Sequence, residues 1–392
     1  MNTLENKLTR LKEEIPNRNV KIMIMGLGSV GMYLLDYLMS LGDQAMEIYV
    51  VGRNEQKMMS DVNIIRVASL IRCQNHTDIK IISDVDFDVV PSICKCLITV
   101  KPDIVINSSR VYSGLKYGSI SWNHVRAYGI WAPLAVKYMK NIMQAYEEAE
   151  CQALVINTSY SDAVIPWLKS AGKPYPDFGS GNINHLIPRI QFAAAGQIGI
   201  PDYWNIEVTY ATSHFHDVVI SKEGQVEGVE QLISIQYHGE DQKVDFDKMF
   251  EQCKIAMPVD GKRNMMNASS NFQIIQGILS VVRDNKRVRL HCPGVFGEIG
   301  GYPVILDGTG SAVRAFIDEE KFGISTMREK NRDSIYLDGI ERIRDGILYY
   351  TDELIAKVRE AFGVELMKAV HLEDSEEVAR FLISKIIERF KG

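Results

Sequence analysis

Apolar runs that alternate with helical stretches constrain the first half of this chain more than any other feature. "KIMIM" (21–25), "EIYVV" (47–51), "DIKII" (78–82), "DIVIN" (103–107) and "ALVIN" (153–157) have the composition of fully buried strands. Between several of them lie segments with helical spacing, such as "APLAVKYMKNIMQAYEEAE" at 132–150. Strand-helix alternation of this kind predicts a parallel sheet covered on both faces, with ligands at the carboxyl ends of the strands. The first strand runs straight into Gly26, Gly28 and Gly31 and then into an amphipathic stretch. Gly26 permits the tight turn, Gly28 lets the backbone approach a pyrophosphate, and Gly31 lets the helix pack closely on its strand. The helix N-terminus, opened by Ser29 and Val30, favours negative charge. A strand, this motif and a helix within one βαβ unit together point to a bound dinucleotide.

About twenty residues later an NAD site would end its second strand in Asp or Glu, to hold the ribose hydroxyls. This chain reads "YVVGRNEQK" there. Gly52 removes the carboxylate that would repel a 2′-phosphate. Arg53 can fork onto such a phosphate, Asn54 lies beside it, and Lys57, one helical turn on, adds a second positive charge. NADP(H) is the expected cofactor, with NAD(H) the alternative if the strand end is offset. Asn107 and Ser108, at the end of the fourth strand, complete the candidate cofactor-binding set.

After about residue 177 the pattern changes. "PYPDFGSGN" (174–182) is turn-rich, and strands near 205–210, 230–237 and 302–307 then mix with helices near 265–283 and 332–361. The expected organisation is a nucleotide-binding unit over 1–177, including an N-terminal arm, and an α+β unit over 178–392. The final "SEEVARFLISKIIERFKG" reads as one amphipathic helix. A net charge of -6 and a pI near 5.8 give no electrostatic footprint for nucleic acid, so anionic partners must be caught locally. No uninterrupted apolar run reaches the ~18 residues of a membrane span, and the charged N-terminus does not resemble a secretory signal. The six cysteines lack zinc-type spacing and read as reduced thiols. The expectations are a cytoplasmic protein with no bound metal, no membrane and no nucleic-acid partner.

Several longer stretches resemble one family. "LTRLKEEIPNRNVKIMIMGLGSVGM" looks like the N-terminal arm and first strand-turn-helix of animal-type lactate dehydrogenases. "VINTSYSDAVIPWLKSAG" is similar to the family's Asn-Pro strand end and the Trp-containing helix after it. "FGSGNINHLIPRIQFAAAGQIGI" resembles the opening of its catalytic domain, "TYATSHFHD" its catalytic-histidine loop, and "NKRVRLHCPGVFGEIGGYPVILDGTGSAV" its late hairpin. The resemblance, to the lactate/malate dehydrogenase superfamily, covers roughly residues 7–360 in order. It implies an α/β chain with a Rossmann-type doubly wound parallel sheet and a second α+β catalytic domain.

It also implies an NAD(P)-dependent oxidoreductase that moves a hydride to or from a 2-oxo or 2-hydroxy acid, or a related carbonyl or imine. In that reading His214 is the proton donor, with His216 two residues on in the same loop, and Arg189 holds the substrate carboxylate. Asn157 holds the nicotinamide ribose and the substrate oxygen, although Thr158 replaces the usual proline. Two departures stand out. Where the family has an aspartate to orient the histidine, this chain has "NINHLIPR", offering only Asn184 or His185. The family's mobile loop carries an arginine, whereas "SSRVYSGLKYGSISWNHVR" has arginine only at its ends, Arg110 and Arg126, and Lys116 in the middle. These departures argue against plain lactate or malate as substrate. They leave open a non-catalytic nucleotide-binding protein of regulatory or assembly function. The arm, with Leu4, Leu8, Leu11 and Ile15 at helical spacing, matches one that in the family wraps a neighbouring subunit, which implies a homo-dimer or homo-tetramer.

Overall fold

The computed structural model describes residues 3–390. Six parallel strands form one sheet: β1 (Val20–Met25), β2 (Met46–Val51), β3 (Asp78–Ile82), β4 (Ile104–Asn107), β5 (Leu154–Asn157) and β6 (Phe178–Gly179). Their order is β3-β2-β1-β4-β5-β6, the doubly wound arrangement, and it reverses direction between β1 and β4. The helices of this half are α1 (Leu4–Glu14), α2 (Ser29–Ser40), α3 (Glu55–Arg72), α4 (Val90–Val100), α5 (Gly114–His124), α6 (Ala132–Glu148) and α7 (Ser161–Ser170).

Side chains that alternate along each strand serve two cores. Ile22, Ile24, Ile48, Val50, Ile104 and Ile106 join the cluster that also holds Leu34 and Leu38 of α2. Met23, Met25, Val51, Val105 and Val155 join the opposite one, with Leu97 of α4 and Met139 of α6. Both faces of the sheet are dry, which is why its strands are almost continuously apolar.

The rest of the chain comprises α8 (Asn182–Ile198), β7 (Ile206–Ala211), α9 (His214–Glu223), β8 (Leu232–Tyr237), β9 (Glu240–Asp241), α10 (Phe246–Gln252) and α11 (Asn264–Arg283). There follow β10 (Arg287–Pro293), β11 (Gly301–Asp307), β12 (Arg314–Ile317), α12 (Ile324–Leu337), β13 (Ile340–Arg344), β14 (Ile347–Tyr350), α13 (Asp352–Phe362), β15 (Ala369–His371) and α14 (Ser375–Leu382). Three antiparallel sheets, β7-β8-β9, β10-β11-β12 and β13-β14-β15, give this half its α+β character. The division at 177 is not clean. β6 lies beyond that residue yet pairs with β5, and Leu348, Val358, Val370, Val378 and Leu382 of the C-terminal segment join the core around α6.

The helix expected over 332–361 is instead two helices separated by a hairpin. "LDGIERIRDGILYY" carries Asp-Gly twice, and Asp345 and Gly346 both adopt positive φ (52° and 75°), as a tight two-residue hairpin turn requires. The final segment is also not one helix, since α14 ends at Leu382 and passes into a π-turn over Ile383–Ile387. No helix among the described residues is long and apolar enough to cross a membrane.

The arm does not reach away from its own subunit. In α1, Thr3 caps the first turn by accepting from the Asn6 N–H, and Leu4, Leu8 and Leu11 are buried in the core beside α2 and α11. Lys12 donates to the carbonyls of Gly308 and Gly310, and Glu5 accepts from the Ala315 N–H. Lys7, fully buried, donates to both carboxylate oxygens of Asp177 at 2.9 and 2.8 Å, and Asp177 also accepts from the Val155 N–H of β5. The apolar spacing read as a contact with a neighbour is satisfied within the chain, so it supplies no ground for association. Removing one partner of a buried ion pair strands the other charge. Lys7→Ala should therefore lower unfolding stability by about 3–5 kcal/mol, measured by urea denaturation, whereas Lys12→Ala should cost less than about 1 kcal/mol.

Candidate active site

A cavity of about 730 Å³ opens at the carboxyl ends of the central strands, where the strand order reverses. One end is built from the glycine turn. Gly26 has φ 94°, and a Cβ at Gly31 would lie 2.3 Å from the Gly26 carbonyl oxygen, so α2 can pack this closely only with glycine there. A Cβ at Gly28 would meet nothing within 4 Å, and no side chain caps the start of α2. Its first N–H groups therefore face open space beside Ser29 and Val30, both of which line the cavity. The Ser108 hydroxyl donates to the Gly26 carbonyl at 2.6 Å and holds the turn against β4. This cradle fits a pyrophosphate.

Gly52, Arg53, Asn54 and Lys57 line the same end. A Cβ at Gly52 would lie 2.9 Å from the Met58 sulfur, and no carboxylate occupies the position. Asn54 caps α3 by accepting from the Lys57 N–H at 2.9 Å, so its side chain is already engaged. Arg53 is 63% exposed, its guanidinium 3.9 Å from Asp86, and Lys57 pairs along its own helix with Asp61.

At the other end His214 opens α9 and lines the cavity. Its Nδ1–H points to Asp338 Oδ2 at 3.1 Å, which leaves Nε2 as the nitrogen available to a ligand. Asp338 is fully buried in the turn between α12 and β13, and it is clamped. The Tyr160 hydroxyl donates to Oδ2 at 2.6 Å, the Tyr128 N–H donates to Oδ1 at 2.7 Å, and the Gly129 N–H donates to the Asp338 carbonyl at 2.8 Å. The rings of Tyr128 and Tyr160 meet the imidazole edge to face, with centroids 4.8 and 4.9 Å away. Tyr160 reaches this position from the left-handed region (φ 44°), a strained conformation for a residue with a side chain. Burial disfavours charge on His214, but Asp338, with smaller help from Asp217 and Asp162, outweighs it and raises the pKa to about 9.

The aspartate that the sequence lacks near Arg189 thus arrives from far along the chain, and neither Asn184 nor His185 takes its place. Asn184 donates to the His291 carbonyl at 3.0 Å and to Gln273. His185 lines the cavity, but burial and then the charges of Arg189 and Arg263 push its pKa down to about 3. His216 is not open to a ligand. It lies outside the cavity lining, with Nε2–H donating to the Glu227 carbonyl at 2.7 Å and Nδ1 accepting from the Ser334 hydroxyl at 2.6 Å.

Arg189 lines the cavity and is buried. It donates to the carbonyls of Ser221 (3.3 Å) and Cys253 (3.2 Å), and its guanidinium makes no ion pair among the described residues. Burial, and then Arg263, lowers its pKa, a cost that an anionic ligand would relieve.

Asn107, Asn157 and Lys116, three of the residues expected at the site, lie outside the cavity lining. Asn157 is fully buried and outside the lining. It accepts from Asn107 at 3.2 Å and donates to the Ser159 carbonyl and the Ser161 hydroxyl, while Asn107 accepts in turn from Ser109. The two asparagines brace the ends of β4 and β5, and Ser108, Ser109, Thr158 and Ser159 face the cavity instead. Lys116 is exposed on α5 near the Tyr112 hydroxyl and is not part of the lining, whereas Arg110 is. Arg126 is committed to Glu223 and Glu227. Among the described residues no cluster of His, Cys, Asp or Glu could hold a metal ion.

No protein-family model matches the sequence, and no curated protein matches it. Solved structures do match in fold. The lactate dehydrogenase of Eimeria maxima with NADH and oxamate aligns over 81% of this chain and 92% of its own, with TM-score 0.53 and 13% identity. The malate dehydrogenase of Aeropyrum pernix aligns over 81% and 96%, with TM-score 0.53 and 14% identity. The lactate dehydrogenase of Cryptosporidium parvum, complexed with lactic acid and nicotinamide adenine dinucleotide, aligns over 82% and 98%, with TM-score 0.53 and 13% identity. By its six-stranded doubly wound sheet and the helices around it, this chain has the fold of the lactate and malate dehydrogenases.

Proposed function

We propose that the protein is a nicotinamide-dinucleotide-dependent oxidoreductase acting on a 2-oxo or 2-hydroxy acid, or on the corresponding carbonyl or imine. The observation that carries this reading is His214, backed by the buried Asp338, which lines one cavity together with a buried arginine that makes no ion pair among the described residues and a glycine turn that fits a pyrophosphate. A purely nucleotide-binding protein has no use for a half-buried histidine held charged at the far end of that cavity.

The bound dinucleotide supplies the hydride chemistry, and the protein does the rest. Arg189 holds the substrate carboxylate through its guanidinium fork. His214 gives a proton from Nε2 to the carbonyl oxygen in the reductive direction and takes it back in the oxidative one. Asp338 fixes the tautomer by accepting from Nδ1 and stabilises the charged ring, while Tyr128 and Tyr160 hold the ring plane. Arg53 and Lys57, at the turn without a carboxylate, favour NADP(H) over NAD(H).

A histidine with a pKa near 9 is charged at neutral pH and loses its proton as pH rises. Reductive kcat/KM, followed by NADPH absorbance, should therefore stay level through neutral pH and fall above about 9. Asp338→Asn should move that break down to or below the ordinary histidine value of about 6.5, because burial then acts almost unopposed. A break that stays in place in Asp338→Asn would assign the titration to another group. His214→Ala should lower kcat by roughly 10²–10⁴-fold with cofactor affinity nearly intact. For the cofactor, Arg53→Ala should weaken NADPH by about 10-fold or more and change NADH affinity little, since it removes one charge-assisted contact. Equal affinity of the wild type for both cofactors, read by fluorescence titration, would count against NADP(H).

A further inference from the structure

One wall of the cavity is aromatic and carries a donor that nothing in the chain satisfies. Trp131, in the turn before α6, lines the cavity and is 2% exposed. Its indole N–H is buried and has no hydrogen-bond partner among the described residues. Buried indole donors are normally paired. This chain pairs another one: Trp167, fully buried on α7, donates to the Gly346 carbonyl at 2.9 Å. A donor left open on a residue that lines a cavity, unlike one inside a packed core, can be satisfied by what enters the cavity.

The rings around Trp131 face the same space. Tyr117 of α5 lines the cavity with its ring centre 5.4 Å from that of Trp131. Tyr128 and Tyr160 line it against His214, with ring centres 4.8 and 4.9 Å from the imidazole. Their hydroxyls are already used, since Tyr160 donates to Asp338 at 2.6 Å and Tyr128 accepts from Lys222 at 3.1 Å. What these two offer a ligand is therefore ring carbon. Leu115, also on α5, lines the cavity and is 41% exposed. Tyr138, two turns along α6 from Trp131, belongs to the other end of the cavity, where its ring meets Phe87 at 5.8 Å. The open indole donor thus stands at the His214 end, in a wall of rings supplied by α5 and the turn before α6 and not by the glycine turn.

We infer that this wall is the side-chain subsite of the substrate, that it takes an aryl group carrying a hydrogen-bond acceptor, and that Trp131 is its specificity-determining donor. The inference rests on the oxidoreductase reading for the acid itself and adds which tail fits. With the carboxylate on Arg189 and the 2-oxo oxygen at His214 Nε2, the tail lies against Tyr128 and Tyr160 and extends toward Tyr117 and Trp131. An aromatic tail meets those rings edge to face or offset, and an oxygen on it takes up the indole N–H. A small aliphatic tail would leave the wall uncovered and the donor unpaired.

The test uses enzyme saturated with NADP+, or with NAD+ where that binds tighter, so that 2-oxo acids bind without turnover. Calorimetry gives the affinities of 2-oxobutanoate, phenylpyruvate and the three ring-hydroxylated phenylpyruvates, and oxidation of the reduced cofactor is followed in a separate assay. Phenylpyruvate should bind ~10-fold or more tighter than 2-oxobutanoate, and at least one hydroxyphenylpyruvate should bind ~3-fold or more tighter again. Trp131→Phe keeps a ring and removes the donor. It should abolish the preference for the ring hydroxyl while changing phenylpyruvate by less than ~3-fold, and Trp131→Ala should also cut the preference for phenylpyruvate over 2-oxobutanoate. Phenylpyruvate binding no tighter than 2-oxobutanoate would overturn the subsite, as would a hydroxyl preference that is absent or that survives Trp131→Phe. So would a Trp131→Phe variant that weakens only ADP-ribose, which would give the indole N–H to the dinucleotide. Absence of cofactor oxidation with every acid, with the affinity order intact, would instead strike the oxidoreductase reading and leave the subsite standing.

Discussion

Burial alone would strip the proton from His214, and the Asp338 carboxylate reverses that outcome. Most of the rest of the molecule is arranged so that this one contact exists. Asp338 touches three separate parts of the chain: the Tyr128–Gly129 backbone, the Tyr160 turn after β5, and the start of α9. Its own position depends on the C-terminal hairpin, whose Leu348 and Tyr350 are buried in the same core as α6. The segment after α12 is therefore a support for the site as well as a cover for the sheet. A change that loosens β13, β14 or α13 would reach the imidazole through Asp338 without touching the cavity.

The parallel sheet was legible in the sequence because its cause is local. A strand buried on both faces must be apolar at nearly every position, and five strands were placed within a residue of their observed ends. The glycine turn was legible for the same reason, since each glycine answers a steric demand set by its immediate neighbours. Asp338 was not, because it lies 124 residues from the histidine it serves, and sequence spacing carries no information about such a contact. The two Asp-Gly turns around it were a usable signal, and they argued against the single long helix expected there. Asn157 lies outside the cavity lining for a different reason. Its place at a strand end suggested a ligand contact, but Asn107 ends the neighbouring strand in register with it and donates to it, while Ser109, Ser159 and Ser161 take up the remaining bonds of the two amides.

The arm illustrates a related ambiguity. Leucines at helical spacing demand an apolar partner surface but do not say whose it is. Lys7 decides the matter here, because a lysine on that face is tolerable only opposite a matching carboxylate. Asp177, already receiving the Val155 N–H, stands where the ammonium needs it. The ion pair makes the docking specific, since sliding α1 by one turn would bury a lone charge against β5.

Positive potential in this chain is a local property set against the charge of the whole. With a net charge of -6 the protein repels anionic ligands at long range, and salt screens that repulsion beyond about 8–10 Å. Inside the cavity the balance inverts. The uncapped start of α2, with Arg53 and Lys57 at one end and Arg189, Lys222 and Arg263 at the other, lines it with positive potential. Around Arg189 this lies behind low-dielectric walls, where charge interactions are strongest. Arg189 makes the point most directly. Its guanidinium is anchored to two backbone carbonyls and held away from solvent, and burial and Arg263 disfavour its charge, so an anion brought beside it would be stabilised.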